Sequence, residues 1–246
     1  GATVIMAVRN KERGEKARQE IIKKSGNSPV DLMICDVSST ESIKKFSDDF
    51  KKKYDRLDVL VNNAGAFFTK RSVTSEGFEK TFMVNYLGQV LLTHELLHLM
   101  KKSAPSRIVN VSSGLHMSGK IDFDDLQLEK DYSSTKAYAN AKLMLVMFTY
   151  SLTKLLRGSG VSVNALHPGF VATDIGSNAG GIMSKITFKL MRPIQLSTKK
   201  GSQTSIHLAS SKDVENVTGK YFSVMKEKSS APISYDENVQ KQLWEK

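Results

Sequence analysis

Tyr138-Ala-Asn-Ala-Lys142 sets a phenol and an ammonium four residues apart, which on a helix is one face and one turn. A phenol with a reference pKa of about 10 is a poor acid–base catalyst near neutrality. A cation a few ångströms away favours the phenolate and brings that pKa toward the working range. A hydroxyl beside the pair could then orient a carbonyl or an alcohol against the tyrosine. Ser113 closes the segment Ile108-Val-Asn-Val-Ser-Ser113 and is placed for that.

The spacing is not specific, because Tyr132-Ser-Ser-Thr-Lys136 and Tyr150-Ser-Leu-Thr-Lys154 share it. In a lysine-rich chain with seven tyrosines, about one such match is expected by chance, so position must decide. Tyr132 sits in a polar stretch that reads as the loop before a helix. Tyr150 lies twelve residues past Tyr138, roughly 18 Å down the axis. In an open parallel sheet the reacting crevice lies where strands end and helices begin, which selects Tyr138.

Two other constellations point to other chemistry. His94-Glu95-Leu96-Leu97-His98 matches H-E-x-x-H, the two-imidazole half of a zinc hydrolase site. Neither His116, His167 nor His207 has a spacing that marks a third ligand, and the segment also fits an amphipathic helix from Val90 to Met100. Ser113 and His116 with an aspartate could be imagined as a hydrolase triad, but there is no G-x-S-x-G elbow.

Positioning these residues requires an alternating scaffold. Thr3–Val8 reads as a strand, followed by a helix over Lys11–Lys24 with Asn10 as N-cap and Gly26 past its end. Val30–Cys35 is the next strand. Ser38 and Glu41 form a capping box for a helix whose apolar face is Ile43, Phe46 and Phe50. Asp58–Val61 is a short buried strand, and Ser75–Lys102 a long helix or helix pair. Further on come a strand at Arg107–Val111, a helix at Thr135–Arg157 and a strand at Val161–Leu166, stopped by Pro168-Gly169. The tail adds a helix near Lys200–Ser210 and a strand near Lys220–Val224. Strands alternating with helices predict an α/β fold, a doubly wound parallel sheet with helices on both faces. One domain is expected over residues 1–246.

Composition narrows the partners. The 246 residues carry 36 Lys+Arg against 25 Asp+Glu, a formal net charge of +11. Lysines fall in short scattered clusters without interleaved aromatics, which argues against nucleic acid and leaves an anionic cofactor or membrane surface. The single Cys35 excludes a disulfide framework and fits a reducing compartment. Every long apolar run is interrupted before roughly 18 residues, so none spans a bilayer.

Together the motifs resemble the short-chain dehydrogenase/reductase family. The resemblance rests on Asn62-Asn63-Ala64-Gly65, Asn85-Tyr-Leu-Gly88, Asn110-Val-Ser-Ser113, Tyr138-x-x-x-Lys142 and Pro168-Gly169, in the family's order. The resemblance implies a Rossmann-like oxidoreductase with Tyr138 as general acid/base, Ser113 orienting the substrate, Lys142 on the ribose and Asn85 supporting a water relay. The retinol-dehydrogenase-like branch is similar in the Ser113-to-Tyr138 spacing, in Leu166-His-Pro-Gly169 and in the tail around Tyr235 and Trp244. A lipophilic small-molecule substrate follows, as does a homodimer or homotetramer. By the same resemblance, Asn62, Ala64 and Gly65 belong to the cofactor loop, Asp36 with Val37 to the adenine contact, and Val171 with Thr173 to the nicotinamide carboxamide.

Arg9 stands where family members preferring NADP carry an arginine for the 2′-phosphate. No acid follows until Glu12, and Lys11 and Arg13 add positive potential, so NADP(H) is expected over NAD(H). The family's first strand and glycine-rich phosphate loop are not found. Their lack predicts two unpaired strands and an N-terminally truncated sequence, whose function as a fragment would then reduce to a non-catalytic binding module. The segment Ile182–Ile194, apolar with basic flanks, reads as a substrate lid, a peripheral membrane contact or, equally, core packing against the tail helix. Localisation is expected to be cytoplasmic or membrane-associated, facing a reducing compartment.

Overall fold

A computed structural model of the chain describes residues 2–26, 29–169 and 197–246. The first strand, β1 (Val4–Val8), leads into α1 (Lys11–Ser25). Asn10 caps that helix by accepting the Arg13 amide at 2.8 Å, and Gly26 ends it in the left-handed region at φ 65°. β2 (Val30–Ile34) pairs in parallel with β1. α2 (Thr40–Lys53) follows, but its N-cap is Ser39 rather than Ser38. The Ser38 hydroxyl is already spent on the Asp36 carboxylate at 2.6 Å, so the neighbouring serine takes the cap. The apolar face of α2 is as the periodicity predicts, with Ile43, Phe46 and Phe50 all buried.

β3 (Val59–Asn62) precedes a long irregular stretch. The expected helix from Ser75 begins only at α3 (Lys80–Phe82), because residues 74–78 form a tight turn and the buried Glu79 carboxylate caps the Thr81 and Phe82 amides. One π-helical turn, Met83–Leu87, joins α3 to α4 (Gly88–Lys102). β4 (Ser106–Val111), a 3-10 turn (Gly114–Ser118), α5 (Ser134–Leu155) and β5 (Val161–His167) complete the central unit. The tail supplies α6 (Thr198–Ser210), β6 (Tyr221–Ser223), β7 (Lys226–Lys228) and α7 (Glu237–Glu245).

The strands β1 to β6 pair only in parallel, as expected, while β7 runs antiparallel to β6. They form two sheets among the described residues, β1-β2 and β3-β4-β5-β6-β7. No ladder joins β1 to β3, so each has one edge without a partner strand among the described residues, the arrangement expected from the sequence. What ties the pair to the larger sheet is apolar packing. Ile5 and Met33 lie against a buried cluster of Ile43, Phe46 and Phe50 from α2 and Leu92, Leu96 and Leu99 from α4, which Leu60 of β3 also meets.

Side chains alternate across the larger sheet in the manner of strands buried on both faces. Ile108 and Val163 point into the core built around α5. Val109, Val111 and Leu166 point the other way, against Leu208 of α6. No helix among the described residues is long and apolar enough to cross a membrane.

Candidate active site

The carboxyl ends of β4 and β5 meet the start of α5. Ser133 caps α5 by accepting the Lys136 amide, which places Tyr138 in the second turn. Its ring is buried and packs against Phe67 with centroids 5.7 Å apart. The Ser113 side chain is close enough to the Tyr138 phenol to lower its pKa. One turn along, Lys142 is buried with its Nζ 5.8 Å from the Tyr138 ring centroid. That Nζ donates to the Val111 carbonyl at 2.9 Å, while Ser112 Oγ donates to the Lys142 carbonyl at 2.8 Å. Two hydrogen bonds thus knit the end of β4 to the helix face that carries the tyrosine and lysine. The structure brings Ser113, Tyr138 and Lys142 together.

Burial raises the Tyr138 phenol pKa above its ordinary value, opposed by the Ser113 side chain. Burial also lowers the Lys142 pKa, to about 7. The net shift of the phenol is thus upward rather than the expected lowering, and the phenol holds its proton at neutrality.

Asn85 lies wholly inside the π-helical turn. Its Nδ2 donates to the Thr81 and Ala66 carbonyls at 2.9 and 2.8 Å, and its Oδ1 accepts the Ala66 amide at 3.1 Å. Both donors are used, so its observed work is to hold residue 66 and the wide turn. Gln89 does the same one turn on, donating to the Ala64 and Val84 carbonyls. Asn62 donates to Thr93 Oγ1 and Asn110 Oδ1, both at 2.8 Å, so its side chain joins β3 to α4 and β4. The loop it opens exposes Asn63 and Ala64 and leaves Gly65 half-buried.

At the other sheet, Asp36 accepts the Ser38 amide and hydroxyl, the ordinary work of a carboxylate before a helix. Val37 beside it is half-buried, and its carbonyl packs on Gly88, where an added Cβ would come within 2.0 Å. Arg9 is exposed at the end of β1. Val171 and Thr173, and the segment Ile182–Ile194, lie outside the described residues. The competing motifs separate cleanly. Tyr132 is in the loop before α5, and Tyr150 is committed to Ser230 at 2.6 Å. His94 and His98 are exposed on α4, and no cluster of metal-ligating side chains occurs among the described residues.

Three residues at the site escaped the sequence reading. Phe67 gave no signal, since an apolar loop residue looks like any other. In the sequence His116 reads as a triad or third zinc-ligand candidate, and His167 as a third zinc-ligand candidate and part of Leu166-His-Pro-Gly169, neither as a support for Ser113. Both imidazoles touch the backbone next to Ser113.

The family described as short chain dehydrogenase matches residues 1–181. Retinol dehydrogenase 13 of Homo sapiens is 40% identical over 249 residues, covering 99% of this chain and 75% of that protein. Retinol dehydrogenase 14 of Mus musculus is 41% identical over 257 residues, covering 100% and 77%. Among solved structures, a protein from Mycobacterium paratuberculosis superposes with a TM-score of 0.76 at 27% identity, covering 100% of this chain and 82% of the other. A short-chain dehydrogenase/reductase from Caenorhabditis elegans, solved with cofactor, gives 0.60 at 28% identity, covering 76% and 68%. With the motif order, the shared fold and identity along the whole chain in agreement, this chain belongs to the short-chain dehydrogenase/reductase family of oxidoreductases, on its retinol-dehydrogenase-like branch.

Proposed function

We propose that residues 1–246 carry the site of an NADP(H)-dependent reductase acting on a lipophilic aldehyde or ketone of retinoid type. The reading rests above all on the meeting of Ser113, Tyr138 and Lys142 where β4 ends and α5 begins. In the reductive direction Tyr138, which carries its proton at neutrality, gives it to a carbonyl oxygen. Ser113 holds that oxygen by a second hydrogen bond, and Lys142 in its protonated form stabilises the phenolate left when the proton passes to the carbonyl oxygen. Asn85 keeps Ala66 in place, and Gln89 keeps Ala64.

The residues present fit a nicotinamide dinucleotide, which when bound supplies or takes the hydride. Arg9 is exposed and makes no hydrogen bond among the described residues, and the basic residues Lys11 and Arg13 stand near it in sequence. That suits a 2′-phosphate better than a bare ribose. Two buried side-chain oxygens next to the 62–66 loop, Asn62 Oδ1 and Gln89 Oε1, accept no hydrogen bond among the described residues. A donor-bearing ligand at this loop would satisfy them. The apolar neighbours Phe67 and Leu115, with the names of the relatives, support a lipophilic substrate.

Loss of NADPH absorbance with all-trans-retinal and with simpler aldehydes tests this. Turnover with NADPH well above that with NADH is expected. Equal use of the two cofactors would remove the role given to Arg9, and no turnover of any carbonyl would remove the reading.

A further inference from the structure

One peptide group next to the proposed chemistry is gripped at both poles. The carbonyl of Ser113 accepts a hydrogen bond from His116 Nδ1 at 2.7 Å, and the amide of Gly114 donates to His167 Nδ1 at 3.0 Å. These two contacts fix the tautomers, since a ring nitrogen facing a carbonyl must carry the proton and one facing an amide must not. His116 is therefore protonated on Nδ1, and its Nε2 accepts the Ala231 amide at 3.1 Å. Its ring is fully buried and lies 4.7 Å, centroid to centroid, from the Tyr221 ring of β6. His167 approaches from the end of β5, where a Cβ on residue 114 would stand 3.3 Å from its Nε2. Glycine at 114 makes room for the imidazole.

Taking Ser113 and Tyr138 as the proton-transfer pair, we propose that His116 and His167 are positioning residues that fix the Ser113–Gly114 peptide and thereby aim the Ser113 hydroxyl at Tyr138. The role rests on that assignment. Ser113 is the last residue before the 3-10 turn, and its side chain has only χ1 to orient it once the backbone is fixed. Strand pairing holds its β4 side, and the two imidazoles hold the other. Through Ala231, His116 also ties the turn to the tail segment that packs on α5 through Ser230 and Tyr150.

Both rings must be neutral for this to work, because a second proton would point at a donor on His167 Nδ1 or on His116 Nε2. Burial favours that state for each, and on His167 the neighbouring His116 adds to it. The titratable groups facing the pair among the described residues are the two rings themselves, the Tyr221 phenol, and Tyr138 through Ser113.

Conservative variants separate positioning from folding. Asparagine offers its amide near the place of Nδ1, and glutamine near that of Nε2. His116→Asn keeps the bond to Ser113 and loses the one to Ala231; His116→Gln does the reverse, and both lose the contact with Tyr221. His167→Asn keeps the acceptor for Gly114, and His167→Ala removes it. The first readout needs no turnover: the Tyr138 Cζ resonance of the unliganded chain, labelled with carbon-13 in tyrosine. It should shift in His116→Gln and His167→Ala and stay near wild type in the two asparagine variants. The second is kcat with all-trans-retinal and NADPH, expected to fall about 10- to 100-fold in the same two variants with the KM for NADPH within about twofold. Unchanged resonance and kcat in all four would overturn the positioning role, as would equal damage in His116→Asn and His116→Gln. A wild-type chain without turnover would remove the proposed function instead, and the resonance comparison would still decide the clamp.

Discussion

Lys142 donates from Nζ to the Val111 carbonyl at 2.9 Å and lies buried, so its charge has a hydrogen-bond acceptor but no solvent. Its folded pKa of about 7 lies well below the ordinary 10.5. The unfolded chain keeps this proton up to the ordinary value, whereas the folded chain releases it near neutrality. Between those limits the unfolded state binds more protons, so this group makes stability rise with pH, by up to about 1.4 kcal/mol per unit. Cys35, raised to about 12 from 9.0 by burial, acts in the opposite sense above pH 9. Urea unfolding of the wild type and of Lys142→Met at pH 7, 8 and 9 should show a slope that the variant lacks. Parallel pH dependences in the two proteins would show that the lysine is not desolvated.

Tyr138→Phe removes one oxygen and keeps the ring against Phe67. Stability should change by less than about 1 kcal/mol, because the only polar side chain acting on the hydroxyl, that of Ser113, is half-buried. Turnover should fall roughly 10²- to 10⁴-fold, the range for losing a positioned proton donor. Fluorescence titration with NADPH should give an affinity close to wild type. Turnover near the wild-type level would refute the role of the phenol.

Asn85 satisfies two carbonyls and one amide from inside the core. Asn85→Leu, similar in volume, strips all three of a partner and should destabilise by roughly 3 kcal/mol or more. Hydrogen exchange should show residues 64–66 and the turn at Met83–Leu87 opening first, and thermal unfolding should report the loss. A variant as stable as wild type would mean that water replaces the amide at no cost.

Gly88 touches the carbonyl of Val37, where an added Cβ would stand at 2.0 Å. The obstacle is backbone on both sides, so neither partner can rotate away. Gly88→Ala should cost at least about 3 kcal/mol and loosen β1, β2 and α2 from the rest, visible as a lower midpoint in chemical unfolding. An undiminished midpoint would show that α4 can retreat from the β2–α2 turn without loss.

Much of the scaffold was legible because its signals are local. The face of α2 follows from the spacing of Ile43, Phe46 and Phe50, and the ends of α1 from Asn10 and Gly26. Two adjacent serines before α2 were not separable by sequence, since the competition for Ser38 comes from Asp36. The start of α3 was missed because Glu79 caps it only when the chain around Gln127 and Tyr132 buries that carboxylate. β7 is Lys-Glu-Lys after a turn that holds Val224 and Met225 at positive φ, a strand without an apolar pattern. At the site, residue types and chain order were enough to pick out Ser113, Tyr138 and Lys142. Their charge states were not legible, because desolvation depends on a helix buried on nearly every side, and i, i+4 spacing is silent about that.

The open margins of β1 and β3 bear on how copies of this chain behave toward one another. Each offers a row of amides and carbonyls without a ladder among the described residues, and Val4, Ile34 and Val61 on or beside them are exposed. Such margins template sideways association. A net charge of +11 keeps molecules apart at low ionic strength, and added salt shortens the reach of that repulsion. Solubility should accordingly decline as salt is raised, with the protein's own cationic surface acting as its safeguard against cross-molecule pairing.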